Sequence, residues 1–138
     1  MLDRMGRDEM FYRICHINDV VIENKDSVLS AIRNITNPDF QDNRGESYLH
    51  MACQAHSIEA ISLLLKKGAN PNITDRFGYP PIFSALGRIS DNNPLILEVM
   101  LHYGLDLNRV IDGLSVKKHI EMFGNDKLNE IINNWLEK

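Results

Sequence analysis

The sequence predicts an all-α chain of about four helical hairpins stacked side by side and joined by tight, β-turn-like tips. Three observations predict it. Glycines recur in register, Gly45 and Gly78 lying 33 residues apart and Gly78 and Gly113 35 apart, a period that marks stacked-repeat architectures. Asp42-Asn43-Arg44-Gly45 and Asp75-Arg76-Phe77-Gly78 spell one Asp-x-x-Gly turn, opened by Asp and closed by Gly, as turn chemistry favours. Gly68 and Gly104 each follow an apolar stripe of helical period, where a left-handed residue ends a helix.

The helices follow in pairs. The first pair is predicted over 8–18 and 26–35, joined by a longer loop through Asn24-Lys25, with Met10, Phe11 and Ile14 as its core. The second covers 48–55 and 58–67. Ser47 can cap its first helix by accepting from an orphan backbone N–H, and Ile58, Ile61, Leu64 and Leu65 fall on one stripe of its second. The third pair, 81–88 and 95–103, departs from this layout. Pro80-Pro81 replaces the capping hydroxyl, although Pro81 suits a first helical turn. Phe83 stands where His50 stands one unit earlier. Gly87 weakens the short helix by roughly 1 kcal/mol relative to Ala. Ser90-Asp91-Asn92-Asn93-Pro94 lengthens the inter-helix loop, and Asn93-Pro94 reads as a cap followed by a first-turn proline. The fourth pair covers 116–123 and 126–137, where Leu128, Ile131, Ile132, Trp135 and Leu136 make the stripe of an ordered end cap. One hairpin cannot bury its own apolar face, whereas stacked neighbours can. Leu49, Ala52, Ile61, Leu64, Leu65, Ile82, Ala85, Leu97, Met100 and Leu101 are therefore assigned to a shared core.

Ser47-Tyr48-Leu49-His50-Met51-Ala52 resembles the T-P-L-H-x-A signature of the ankyrin repeat. Gly68-Ala69-Asn70-Pro71-Asn72, and again Gly104-Leu105-Asp106-Leu107-Asn108, resemble its G-A-x-x-N tail. The resemblance implies a single ankyrin-repeat domain over 1–138: an N-terminal cap at 1–41 that carries no signature, a close repeat at 42–74, a repeat with a loop insertion at 75–109, and a C-terminal cap at 110–138.

Bulk properties narrow the function. The chain has 138 residues, a net charge of −4 and a pI near 5.7, which argues against nucleic acid, whose backbone attracts a basic face. No apolar run approaches the roughly 20 residues a membrane helix needs, and the start lacks a signal peptide's apolar region. Two cysteines, Cys15 and Cys53, make no disulfide framework. The expectation is a cytoplasmic monomer with no cofactor and no attached catalytic domain.

His50, Cys53 and His56 form the sharpest chemical-looking cluster, because His and Cys three residues apart can share a helix face and a zinc ion. A zinc site needs a fourth ligand, and none is evident in the sequence. A metal- or thiol-dependent enzyme using these three is the alternative. The preferred reading buries Cys53 as an inert thiol beside Ala52.

The resemblance implies binding on a concave face made of the turn tips and the exposed side of each first helix. Carried onto this chain, that face comprises Asn43, Arg44 and Glu46 at one tip, Arg76, Phe77 and Tyr79 at the next, and Ile111, Asp112 and Leu114 at a third. Gln54, Ala55, Gly87, Arg88, Met122 and Phe123 line the helix side. Aromatic and arginine side chains are enriched at interface centres, and Phe77 with Tyr79 between arginines has that character, the competing reading being that Phe77 or Tyr79 folds inward. A guanidinium-flanked aromatic suits a partner bearing carboxylates. The expectation is a non-enzymatic module binding another protein, with a bacterial immunity protein that neutralises a toxin as the most specific form and an adaptor or effector scaffold as the alternative.

Overall fold

A computed structural model describes residues 1–138. Eight helices run in chain order: α1 (Glu9–Cys15), α2 (Lys25–Arg33), α3 (Tyr48–Gln54), α4 (Ile58–Lys66), α5 (Ile82–Leu86), α6 (Asn93–His102), α7 (Val116–Glu121) and α8 (Asp126–Leu136). They form two layers. The short first helices α1, α3 and α5 pack in sequence along one side, and α2, α4, α6 and α8 pack along the other. Between the layers lies one continuous core that runs from Phe11 and Ile14 to Ile131 and Ile132. All ten core positions assigned from the sequence are buried. Met10 and Trp135 are half-buried against the core, and Leu136, placed on the α8 stripe, is exposed at the end of the chain.

The tips stack through their backbones. In the second tip the Asp42 carboxylate accepts from the amides of Arg44 and Glu46 at 2.8 and 2.9 Å. In the next, Asp75 accepts from Phe77 and Tyr79 at 2.9 and 3.0 Å. The Arg76 N–H then donates to the Arg44 carbonyl at 2.8 Å, tying tip to tip. Gly45 sits at this junction with φ +76°, and a Cβ there would lie 2.9 Å from the Arg76 nitrogen and 3.0 Å from the Asp75 Cα. Only glycine fits such a close approach in a left-handed conformation.

The amino terminus repeats this pattern. Asp3 accepts from the amides of Met5 and Arg7 at 2.9 and 3.0 Å. Gly6 N–H donates to the Asp3 carbonyl, and Asn43 N–H donates to the Met5 carbonyl at 2.7 Å. Asp3-Arg4-Met5-Gly6 is thus a further Asp-x-x-Gly tip, in a stretch that the sequence reading left without a signature. Gly6 and Gly45 are 39 residues apart rather than 33, because a long loop separates α1 from α2, and this breaks the register. The fourth tip differs. It is a two-residue antiparallel hairpin, β1 (Val110–Ile111) and β2 (Leu114–Ser115), turned by Asp112 and Gly113 at φ +51° and +83°, as the tightest hairpins require.

Two local expectations are corrected. Pro81 is the residue before α5 rather than its first turn, and α5 is only five residues long without a side-chain cap. Asn92 rather than Asn93 occupies the cap position of α6, whose first two residues are Asn93 and Pro94. The Asn93 side chain instead turns inward and donates to the Arg88 carbonyl at 2.9 Å, and Asn92 donates to the His56 carbonyl at 3.0 Å. The longer loop is held by amides and not by a helix cap.

Candidate partner-binding face

The second repeat supplies the rigid centre of the face. Ser47 caps α3 and forms a reciprocal capping box with His50, satisfying two orphan donors at once. Ser47 N–H donates to His50 Nδ1 at 3.0 Å, so the proton sits on Nε2, which donates to the Tyr79 carbonyl at 3.1 Å. Burial, opposed in part by that bond and by nearby carboxylates, holds the His50 pKa below its ordinary value. One buried imidazole therefore joins a helix start to the next tip. His56 performs the matching task at the other end of the helix. It stands at φ +54°. Its Nε2 donates to the Ala85 carbonyl at 2.8 Å, and Arg88 Nη2 donates to its Nδ1 at 3.0 Å. Cys53 between them is fully buried, and burial pushes its thiol pKa well up. His50 and His56 thus spend both ring nitrogens on bonds to neighbouring turns and helices, and the thiol is held in its protonated form.

The anticipated face residues fall into three groups. Asn43, Arg44, Gln54, Arg76, Phe77, Gly87, Asp112, Leu114, Met122 and Phe123 are exposed. Phe77 stands 65% exposed at its tip with the Arg76 guanidinium 4.8 Å from its ring centroid, an arrangement that keeps a cation and an aromatic ring in one contact surface. Met122 is likewise 65% exposed. A second group is only partly available. Glu46 is half-buried and paired with Arg7 at 3.3 Å, while Arg7 also holds Asp42 at 2.8 Å. Arg88 spends part of its guanidinium on His56, and Ala55 is half-buried.

Two assignments are corrected. Ile111 is 4% exposed and belongs to the core, since alternation along β1 turns Val110 out and Ile111 in. Tyr79 folds inward. Its ring packs edge-on against Phe83 and His119, with centroids 5.5 and 6.0 Å away, and its hydroxyl reaches Asp112 at 3.4 Å. Of the two tip aromatics, Phe77 alone projects.

Sequence reasoning missed two parts of this surface. Arg4 and Met5 occupy the first tip, signalled by Asp3-x-x-Gly6. Val20, Val21 and Ile22 after α1, and Ile89 after α5, are exposed apolar residues in loops, Ile89 completely so. An unbroken apolar triplet between polar residues was their signal. The largest depression in the molecule, about 630 Å³, lies elsewhere, between α4, α6 and α8 on the opposite layer, with Leu95, Tyr103 and Trp135 in its walls. It is an open furrow between second helices, lined also by Ser62, Lys66, Glu98 and His102.

No helix is long and apolar enough to cross a membrane. A family model described as ankyrin repeats (3 copies) matches residues 18–111. The chain is 28% identical over 103 residues to ankyrin repeat protein L92 of Acanthamoeba polyphaga mimivirus, covering 75% of this chain and 23% of that protein. It is 35% identical over 79 residues to the ankyrin repeat domain-containing protein OPG023 of Monkeypox virus, covering 57% of this chain and 12% of that one. The chain thus spans less than a quarter of either viral relative. An ankyrin repeat domain from Acinetobacter baumannii AYE, solved by crystallography, superposes with a TM-score of 0.79 at 18% identity over 96% of this chain and 66% of that one. Repeat period, stacked tips, bridging imidazoles and these matches agree, and the chain belongs to the ankyrin-repeat family.

Proposed function

We propose that this chain is a non-enzymatic module that grips another protein across its tips and first helices and acts by occupying that protein's surface. The observation that carries the reading is Phe77, a large aromatic held out at a tip whose backbone N–H groups are all bonded, with Arg76 stacked beside it. Tyr79 packs against Phe83 and His119 whereas Phe77 does not, and rigid exposed aromatics with arginine are what binding surfaces present at their centres. Binding repeats of this family mediate protein–protein contact, and the buried thiol and doubly bonded imidazoles described above are structural.

The most specific form of this reading is neutralisation of a toxin by covering its active surface. Its sign is a toxin-like enzyme that co-purifies with the chain and loses activity in the complex. The general reading is tested by affinity capture with the wild type and with Phe77→Ala/Arg76→Ala. Because both side chains are exposed, the variant keeps its melting temperature within the small range usual for surface positions. The expected result is a protein retained by the wild type and lost from the variant. Equal retention by both removes this face from the interaction.

A further inference from the structure

We propose that the element gripped is an acidic amphipathic helix lying along the stack, its carboxylates on the tip arginines and its apolar flank on the loops at the far ends of the first helices. This rests on the face described above being the binding face, and it names the chemistry of what fills it.

The two edges of that face differ in character. At the first three tips the carboxylate that opens each turn is consumed internally, whereas Asp112 on the fourth is exposed. Asp3, Asp42 and Asp75 each accept from two amides of their own turn, and Asp42 also holds Arg7. Arg4, Arg44 and Arg76, by contrast, are exposed on successive tips and make no ion pair. In a chain of net charge −4, these unpaired guanidiniums are the groups the tips offer to an incoming partner, and carboxylates are their complement. The opposite edge carries exposed apolar side chains among polar ones. Val20 borders a depression of about 520 Å³ whose rim also holds His16, Asn18, Asp19, Gln54 and Arg88. Ile89 and Phe123 border the next, of about 240 Å³. Val20 is 89% exposed and Ile89 100%.

The distance between the edges is set by the first helices. Helix α3 has seven residues, which at helical rise is about 10 Å. An α-helix with its side chains is about 10–12 Å across. The span between the edges therefore matches the width of one helix, which would meet cations on one flank and Val20, Ile89 and Phe123 on the other, with Gln54 the one exposed side chain of α3 between them. Helix-in-groove recognition works by such a division of faces.

The test uses three synthetic peptides of equal length, labelled for fluorescence anisotropy. One has leucines on one helical face and glutamates on the other, the second has the same composition scrambled so that no face forms, and the third carries lysine in place of glutamate. The acidic amphipathic peptide is expected to bind, to gain helical circular dichroism on binding, and to weaken as salt is raised. Arg44→Glu/Arg76→Glu and, separately, Val20→Ser/Ile89→Ser are each expected to weaken it roughly tenfold. All four side chains are exposed, so thermal melts should stay unchanged. Failure of the acidic peptide to bind, equal binding of the scrambled or lysine peptide, or indifference to either double variant overturns the proposal. Its failure is separable from that of the general reading. A captured protein lost on Phe77→Ala but untouched by Val20→Ser/Ile89→Ser leaves a binding module and removes the amphipathic helix.

Discussion

The second and third hairpins occupy equivalent places and are built to different standards. Helix α3 has seven residues, a reciprocal cap and a core-filling histidine. Helix α5 has five, a proline where the cap would stand, and no side-chain bond at its start. The third hairpin holds its shape because the second reaches over to it. His50 bonds the Tyr79 carbonyl, His56 bonds the Ala85 carbonyl, and Asn92 and Arg88 return bonds to His56. A weak repeat is tolerable in a stack when its stronger neighbour satisfies its backbone, because stability in such arrays is shared between intrinsic and interface terms.

Variants can break this comparison in graded steps. His50→Ala is expected to have the largest effect, about 3 kcal/mol in urea unfolding, since it opens a cavity and strands buried partners in both repeats. A loss under about 1 kcal/mol would mean that the third hairpin stands without the second. At His56 the expected costs diverge. His56→Ala loses the clamp and keeps an L-residue at φ +54°, and should cost about 2 kcal/mol. His56→Gly relieves the backbone and should recover about 1 kcal/mol of that. Ser47→Ala should cost about 1 kcal/mol, the usual value of an N-cap.

The pH response sharpens the same contrast. The unfolded imidazole titrates near 6.5, and folding lowers the His50 pKa. Below about 6.5 the unfolded chain therefore binds more protons than the folded one, so this contribution is complete above that pH and is lost as pH falls toward the lower folded pKa. Urea midpoints measured downward from neutrality should fall, and His50→Ala should flatten that part of the slope. An unchanged slope would show that His50 is not the group responsible.

How much of this was legible in the sequence depended on whether a feature is local. Caps, glycine stops and the Asp-x-x-Gly turns act over a few residues, and the predicted helices lie within a few residues of those observed. The burial of Ile111 required knowing which side of a two-residue strand faces the core. The inward turn of Tyr79 depended on Phe83 and His119, the latter 40 residues downstream. The Arg7–Asp42 pair spans 35 residues, and nothing near Arg7 announces it. The first tip was written plainly as Asp3-x-x-Gly6, but a longer loop before α2 set it out of register. For the face itself, residue type singled out Phe77 and Met122 correctly as exposed, whereas the apolar loop edge lay outside the family's usual map.

The amide-to-carbonyl bonds from Asn43 to Met5 and from Arg76 to Arg44 involve main chain only. Among the middle residues of the tips, Asn43 alone adds a side chain to that joint, its amide donating to the Arg4 carbonyl at 3.0 Å; the other middle residues add none, so their chemical identity can vary while their spacing cannot. New specificities can therefore be written at Arg4-Met5, Arg44 and Arg76-Phe77 by exchanging letters along a fixed line, with the scaffold beneath unaware of the edit.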